Sequence, residues 1–100
     1  MSNFDEANHR KEQKAELAGD IVGGLIAIRS AWMHDEDSKS NPDEARLAIL
    51  LKEQIALELK RSTFYTLELN ELDHLIQTYT LQLKTEDAER DAYLASKGGK

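Results

Sequence analysis

Apolar residues recur at helical spacing from Leu17 to Met33, the most regular such pattern in this chain of 100 residues. One face of the predicted helix carries five of them, at spacings of four, four, three and four: Leu17, Ile21, Leu25, Ile28 and Trp32. A second side carries Val22, Ile26 and Met33. A helix with apolar residues on two sides must be covered on both. We therefore predict a central helix 1, from Phe4 to Met33, on which the rest of the chain packs.

Small residues form a second pattern along helix 1. They occupy every fourth position, and we call this row the small-residue ridge: Ala15, Gly19, Gly23, Ala27 and Ala31. Each glycine inside a helix costs about 1 kcal/mol relative to alanine, so a packing reason is expected. The ridge predicts that another helix crosses closely and at an angle. The alternative is that Gly19 ends one helix and Asp20 caps the next, so that helix 1 breaks there.

Helix 2 is predicted from Pro42 to Arg61, after an acidic loop from His34 to Ser40. Asn41 is a suitable N-cap, and proline is favoured at the first helical position because its missing N–H group is not needed there. The segment 62–66 is rich in residues that disfavour helix interiors. It therefore predicts a turn or a kink between helices 2 and 3, with Thr66 as the cap of the next helix.

Helix 3 is predicted from Thr66 to Ser96, with a bend near Lys84. Its core seam alternates at spacings of four and three: Tyr65, Leu69, Leu72, Ile76, Tyr79 and Leu83. Almost opposite this seam lie Leu67, His74 and Leu81. This row is either a set of ordinary exposed leucines or a second apolar contact face.

These elements predict an all-α, compact bundle of about three helices. A single domain is expected over residues 1–96, followed by a disordered tail at 97–100. A chain of this size buries roughly two-thirds of its unfolded surface, so its core is modest and association as a homodimer would add to its stability. The residues predicted to be buried are Leu17, Ile21, Leu25, Ile28, Trp32, Leu51, Ile55, Leu69, Leu72 and Ile76.

Composition restricts the chemistry further. The sequence contains no cysteine, which excludes disulfides and thiolate metal sites and fits the reducing cytoplasm as its predicted location. The uncharged run in helix 1 extends only from Ile21 to Ile28, whereas a membrane-spanning helix needs roughly 20 apolar residues. No nucleophile, base and acid occur at a recognisable spacing, and no glycine-rich loop joins a strand to a helix. We therefore expect a protein that is not an enzyme.

A metal site is considered at Glu71 and His74. Their Glu-x-x-His spacing is that of the inward-pointing ligands in di-iron helical bundles, and a homodimer would supply the second copy. At 100° per residue, however, both side chains point away from the core seam of helix 3. A second group, His34, Asp35 and Asp37, lacks a matching cluster of ligands. We therefore predict no metal and no cofactor, and keep a dimeric di-metal protein as an alternative.

The formal net charge is −6. Carboxylates with little compensating base occur in the loop and at the start of helix 3, and they are Asp35, Glu36, Asp37, Glu68, Glu71 and Asp73. Such a surface repels nucleic acid backbones, so neither direct nucleic acid binding nor membrane binding is expected. It favours a basic protein partner, whose nucleic-acid-binding groove it would occupy. The alternative is that the acid only keeps a small helical domain soluble.

In size, acidity and helical class the chain resembles small phage-encoded inhibitors of host defence, including helical anti-CRISPR proteins, some of which mimic the charge of nucleic acid. The resemblance is one of class and concerns no individual motif. It implies a non-enzymatic protein-protein interaction module that inhibits a basic nucleic-acid-binding protein. The alternative is a structural homodimer.

Overall fold

The computed structural model describes the backbone of residues 3–98 and the side chains of residue 6 and of residues 8–93. Helix α1 spans Asn3–Asp37, α2 spans Glu44–Arg61 and α3 spans Leu69–Gly98. A short 3₁₀ turn, Phe64–Thr66, lies between α2 and α3. No strand occurs in the described part of the chain. The predicted all-α bundle of three helices is therefore confirmed.

Helix α1 is the centre of the bundle, and both other helices pack on it. Helix α2 runs antiparallel to α1, since Gly19 faces Arg61 near the start of the pair and Arg29 meets Glu53 farther along. Helix α3 runs parallel to α1, as the pairs Lys14–Asp73 and Arg29–Glu86 show. The radius of gyration is 17.0 Å, against about 13 Å for a typical compact domain of this length. The bundle is therefore elongated along α1.

Helix α1 is continuous through Gly19, as the first of the two alternatives predicted. It does not end at Met33, however, but continues to Asp37. The last turn is closed by Ser38, whose backbone N–H donates to the His34 carbonyl at 3.1 Å and whose hydroxyl donates to the same carbonyl at 2.7 Å. The first half of the predicted acidic loop is therefore helical. At the other end, α1 begins at Asn3, one residue before the predicted start at Phe4.

The N-cap of α2 is Asp43 and not Asn41. The Asp43 backbone is extended, and its carboxylate accepts a hydrogen bond from the backbone N–H of Arg46 at 3.1 Å. Pro42 consequently precedes the cap instead of occupying the first helical position. Asn and Asp are about equally favoured as N-caps, so the local sequence does not choose between Asn41 and Asp43. The hydrogen bond from the Asp43 N–H to Glu36 favours Asp43. The end of α2 at Arg61 is as predicted.

Thr66 is not the cap of α3. It belongs to the 3₁₀ turn, in which its backbone N–H donates to the Thr63 carbonyl at 3.0 Å, and Leu67 is extended. Helix α3 therefore begins at Leu69 and is continuous through Lys84, where a bend was predicted. The predicted tail begins at Lys97, yet α3 includes this residue and Gly98. Residues 99–100 lie outside the described residues.

The core lies on a side of α1 that was only partly predicted. Leu25, Ile28 and Leu72 are buried as expected. Ile21, Trp32, Leu69 and Ile76 are half-buried. Three predictions were wrong, because Leu17, Leu51 and Ile55 are 46%, 49% and 48% exposed. Five buried residues were absent from the predicted list, although Val22 lies on the second apolar side of helix 1 and Ala15 in the ridge: Ala15, Ala18, Val22, Leu50 and Phe64.

The predicted helix crossing does not follow the whole small-residue ridge, of which only Ala15 is buried, in the core cluster. Gly19 and Gly23 face the side chain of Arg61, and Ala27 and Ala31 are exposed. Of the three glycines in α1, Gly24 has the least space beside it. A Cβ atom added there would lie 3.2 Å from both methyl carbons of Leu83. Gly24 is thus the glycine of α1 against which a side chain of α3 packs most closely.

Alanine substitutions distinguish these glycines. Gly19→Ala is expected to raise the free energy of unfolding by up to about 1 kcal/mol, because alanine favours the helix and its Cβ would meet Arg61 carbons at 3.8 Å, an ordinary contact. Gly24→Ala is expected to gain less, since Leu83 must shift. Gly24→Leu is expected to cost about 1 to 3 kcal/mol through overpacking. Urea denaturation followed by circular dichroism measures all three, and equal stabilisation by both alanines would contradict this assignment.

Candidate interaction groove

A groove of about 1100 Å³ opens between α2 and α3. Its floor is the last third of α1, which contributes Arg29 and Trp32. The first half of α2 forms one wall and the middle of α3 forms the other, with Ile49 and Leu81 among the wall residues. We call this feature the α2–α3 groove.

The groove lies at one end of the bundle, and the opposite end is closed by packed side chains. There the short segment 62–68 connects α2 to α3, and Phe64 and Leu72 pack on Ala15 and Ala18 of α1. Small alanines let these large side chains approach α1 closely. Toward the groove, α1 instead presents Arg29, whose ion pairs reach Glu53 of α2 and Glu86 of α3 and leave a gap between these two helices.

A buried charge network forms the floor of the groove. The guanidinium of Arg29 donates from Nη1 and Nη2 to the two carboxylate oxygens of Glu86, at 2.6 and 2.9 Å. Its Nε donates to Glu53 at 3.1 Å, and Nη1 also donates to the Leu25 carbonyl at 3.2 Å. Gln82 donates to Glu86 at 2.9 Å. One arginine therefore joins all three helices through a fork-shaped pair of hydrogen bonds.

Both members of the central pair stay charged at neutral pH. Burial by itself raises the pKa of Glu86, but the hydrogen bonds from Arg29 and Gln82 and the charge of Arg29 together outweigh it and lower that pKa. The hydrogen bond to Glu86 chiefly raises the pKa of Arg29. Trp32 lies beside the same cation, with its ring centre 5.9 Å from the guanidinium carbon. Arg29 and Glu86 therefore find their hydrogen-bond partners within the protein, and their role at the base of the groove is structural.

Acid is expected to destabilise the protein through this network. Because the folded-state pKa of Glu86 lies below its ordinary value of 4.5, its contribution to stability is complete above that pH. It is lost as the pH falls from 4.5 through the lower folded-state pKa. The free energy of unfolding, measured by urea denaturation between pH 7 and pH 3, should therefore decline below pH 4.5. Glu86→Gln should be less stable at pH 7 and show a shallower decline, and parallel profiles would contradict the prediction.

Glu36 does not belong to a free acidic surface, which corrects its predicted role. Its carboxylate accepts hydrogen bonds from the Asp43 backbone N–H at 2.9 Å and from Lys39 at 3.0 Å, and Arg46 lies 3.5 Å away. The bond from the Asp43 N–H, followed by that from Lys39, lowers the pKa of Glu36. The side chain is 4% exposed, covered by these neighbours. Glu36 holds the connection between α1 and α2 in place.

The other residues of the predicted acidic surface lie at opposite ends of the bundle. Asp35, near the end of α1, accepts a hydrogen bond from the Tyr93 hydroxyl at 2.7 Å. Asp73 pairs with Lys14 at 2.8 Å, near the start of α1. Since Lys14 and Asp35 are 21 positions apart in one helix, the two groups are separated by about 32 Å. The structure does not bring them together into one surface.

The three remaining residues of that set are exposed, namely Asp37, Glu68 and Glu71. Glu68 lies 4.0 Å from Lys11, and its backbone N–H is 3.5 Å from a Glu71 carboxylate oxygen. His74 is also exposed. Among the residues that the structure describes, no group of three His, Asp or Glu side chains is placed to hold a metal ion.

The predicted second apolar face is divided in the structure. Leu67 packs against the core cluster beside the 3₁₀ turn, and His74 is exposed on α3. Leu81 is 67% exposed and lies on the wall of the α2–α3 groove. Only Leu81 of this set therefore belongs to the candidate site.

A separate apolar surface lies on α2. Three residues at spacing four are 49%, 48% and 65% exposed, and we call them the outer stripe: Leu51, Ile55 and Leu59. None of them lines the groove. Within residues 3–98, no helix is long and apolar enough to cross a membrane.

The groove combines exposed apolar side chains with an acidic balance. Ile49 and Leu81, on opposite walls, are 58% and 67% exposed. Six carboxylates and three cations line the groove, which gives it a formal charge of −3. The carboxylates are Asp35, Glu36, Asp43, Glu53, Glu86 and Glu89. Such a lining can bury apolar groups of a ligand and attract cationic groups around them.

Sequence reasoning missed most of this site, although one signal was present. Arg29 directly follows the uncharged run that ends at Ile28, on a helix with apolar residues on two sides. A charge in such a position is rarely buried unless it is paired, so it indicates an internal acid. The position of Glu86, 57 residues away, had no comparable signal because it depends on the packing of α3 on α1.

Comparisons with known proteins add no assignment. The chain matches no family model, and neither the curated proteins nor the solved structures include a match to it. The class is therefore defined by the fold and the groove: an elongated, all-α three-helix protein with an acidic, partly apolar groove.

Proposed function

We propose that the protein is a non-enzymatic protein-protein interaction module that binds a basic protein through the α2–α3 groove. The observation that carries the proposal is the coincidence of exposed Ile49 and Leu81 with an excess of carboxylates in one groove. Apolar contacts in the centre of an interface supply affinity, whereas charges at its rim steer the encounter and select partners.

The alternative, that the acid only keeps the domain soluble, assigns no role to this arrangement. A protein that uses acid only to stay soluble gains nothing from large aliphatic side chains left exposed between the same carboxylates. The predicted acidic residues are divided between the two ends of α1. The proposal is therefore supported by the groove, and not by an extended acidic surface that imitates nucleic acid.

Two matched variants test the proposal. Ile49→Asp places a charge in the groove, while Leu59→Asp makes the same change on the outer stripe of the same helix, at similar exposure of 58% and 65%. A basic partner captured by the wild-type protein should be retained by Leu59→Asp, lost by Ile49→Asp and weakened by raised salt. A partner that is insensitive to Ile49→Asp would contradict the groove as the binding site.

A small phage-type inhibitor, such as an anti-CRISPR protein acting on a nucleic-acid-binding enzyme, is one class of protein that fits this proposal. That narrower assignment and the cytoplasmic location stay predictions. The identity of the captured partner tests both.

A structural homodimer is the second candidate, and the outer stripe is the observation that favours it. Ile55 lies midway between Leu51 and Leu59, so an antiparallel pair of α2 helices related by a two-fold axis at Ile55 would place Leu51 of each copy opposite Leu59 of the other. Light scattering should then give twice the chain mass of 11.3 kDa, and Ile55→Asp should return the monomer. A monomeric wild-type protein at tens of micromolar would reject this candidate.

A further inference from the structure

We infer that the α2–α3 groove takes a basic amphipathic α-helix of the partner, which lies between α2 and α3 as a fourth helix of the bundle. This inference rests on the proposed function and specifies the kind of element that the groove binds.

The dimensions of the groove fit a short helix. Its walls extend from Asp43 to Glu53 on α2 and from Leu81 to Tyr93 on α3, which correspond to about 15 and 18 Å of helix. Three turns of a bound helix would measure about 16 Å, which matches the length of these walls. Because the described part of the chain has no sheet edge, an added strand would find no backbone partner.

The side chains of the groove define the helix that fits. Ile49 and Leu81 project from opposite walls, so one apolar face with residues at i, i+3, i+4 and i+7 would contact both. Glu89 and Asp43 are exposed among the lining carboxylates and would lie beside lysine or arginine at the edges of that face. The occupant is therefore a helix with an apolar face flanked by cations.

A second copy of this chain fits the groove poorly. The chain carries a formal charge of −6, and the groove itself carries −3, so two copies repel one another at this site. Helix α2 has an exposed apolar stripe, but its charges almost cancel, with three glutamates against four lysine or arginine residues, so it lacks the strongly basic flanks that the groove favours. The acidic balance selects a different protein with a basic helix.

Synthetic peptides without tryptophan or tyrosine test this inference on the full chain. The first has leucine at the four face positions and lysine elsewhere, the second replaces lysine by glutamate, and the third is the lysine peptide with two central prolines. Trp32, the only tryptophan, lies in the groove and reports binding by its fluorescence. Only the first peptide should change that fluorescence and gain helical circular dichroism, with affinity about tenfold weaker in high salt.

A matched pair of variants locates the binding. Leu81→Asp should weaken binding of the lysine peptide at least about tenfold, whereas Leu59→Asp should leave it within about twofold, the two residues being 67% and 65% exposed. Thermal unfolding of both variants verifies that they fold. Ile49→Asp, on the opposite wall, should repeat the loss.

The outcomes separate the inference from the proposed function. If the proline peptide binds as tightly as the lysine peptide, the occupant of the groove is not a helix, and the proposal of a basic partner stands. Equal binding of the glutamate peptide would overturn the selection of a basic partner, and with it the proposed function. Equal losses in Leu81→Asp and Leu59→Asp, or no binding of any peptide at hundreds of micromolar, would overturn both.

Discussion

Replacement of Arg29 by methionine is expected to lower the free energy of unfolding by about 3 to 5 kcal/mol. The substitution leaves Glu86, which is 8% exposed, without the two hydrogen bonds that it accepts from the guanidinium. It also removes the cation that Glu53 contacts. A buried carboxylate without a counter-ion costs far more than the lost contact alone. Small domains are stabilised by only about 5 to 15 kcal/mol, so the variant should lose a large fraction of the total stability.

Two further variants control this experiment. The stability of all three variants is measured by urea denaturation followed by circular dichroism at neutral pH. Lys14→Met removes the solvent-accessible pair with Asp73, also a contact of a cation with a carboxylate, at 2.8 Å, and should cost no more than about 1 kcal/mol. The double variant Arg29→Met with Glu86→Met removes both central charges and should recover much of the stability lost in the single variant. A loss in Arg29→Met no larger than that in Lys14→Met would contradict a buried network.

Replacement of Phe64 by alanine is the second change with a large expected effect, a loss of about 3 to 5 kcal/mol. Phe64 is fully buried in the 3₁₀ turn, where its ring lies 6.4 Å from that of Tyr79. It belongs to the cluster formed with Ala18 and Val22 of α1. Alanine would leave a cavity at the point where the connection between α2 and α3 is attached to the core. A fall in Tm of more than about 12 °C is expected.

The adjacent residue provides the control. Tyr65 is 59% exposed in the same turn, so Tyr65→Ala should change the free energy of unfolding by no more than about 0.5 kcal/mol. Both variants shorten an aromatic side chain to alanine in the same three-residue 3₁₀ turn, so they differ chiefly in how deeply the original side chain is buried. Similar Tm values for the two would mean that Phe64 does not anchor the turn.

The number, order and approximate extent of the helices follow from the sequence by itself. Leu17 to Met33 shows the helical periodicity that predicts α1, although a break at Gly19 stayed open as an alternative, and Ser62 to Thr66 predicts an interruption before α3. These features depend on local propensity and spacing, which neighbouring residues determine. The end of α1 and the caps of α2 and α3 were displaced by two to four residues, because several suitable capping residues lie close together and long-range contacts such as Glu36 with Asp43 select among them.

Only the tertiary structure decided which apolar faces are covered and where the groove lies. Helices α1 and α2 each present more than one apolar face, and periodicity cannot choose between them. The packing of Phe64 and Leu72 on Ala15 and Ala18 chose the core and left Leu51 and Ile55 exposed. The pairing of Arg29 with Glu86 joins residues 57 positions apart, and the groove exists because α2 and α3 both pack on α1 but separate above this pair. Such features depend on the relative placement of whole helices, which local sequence does not determine.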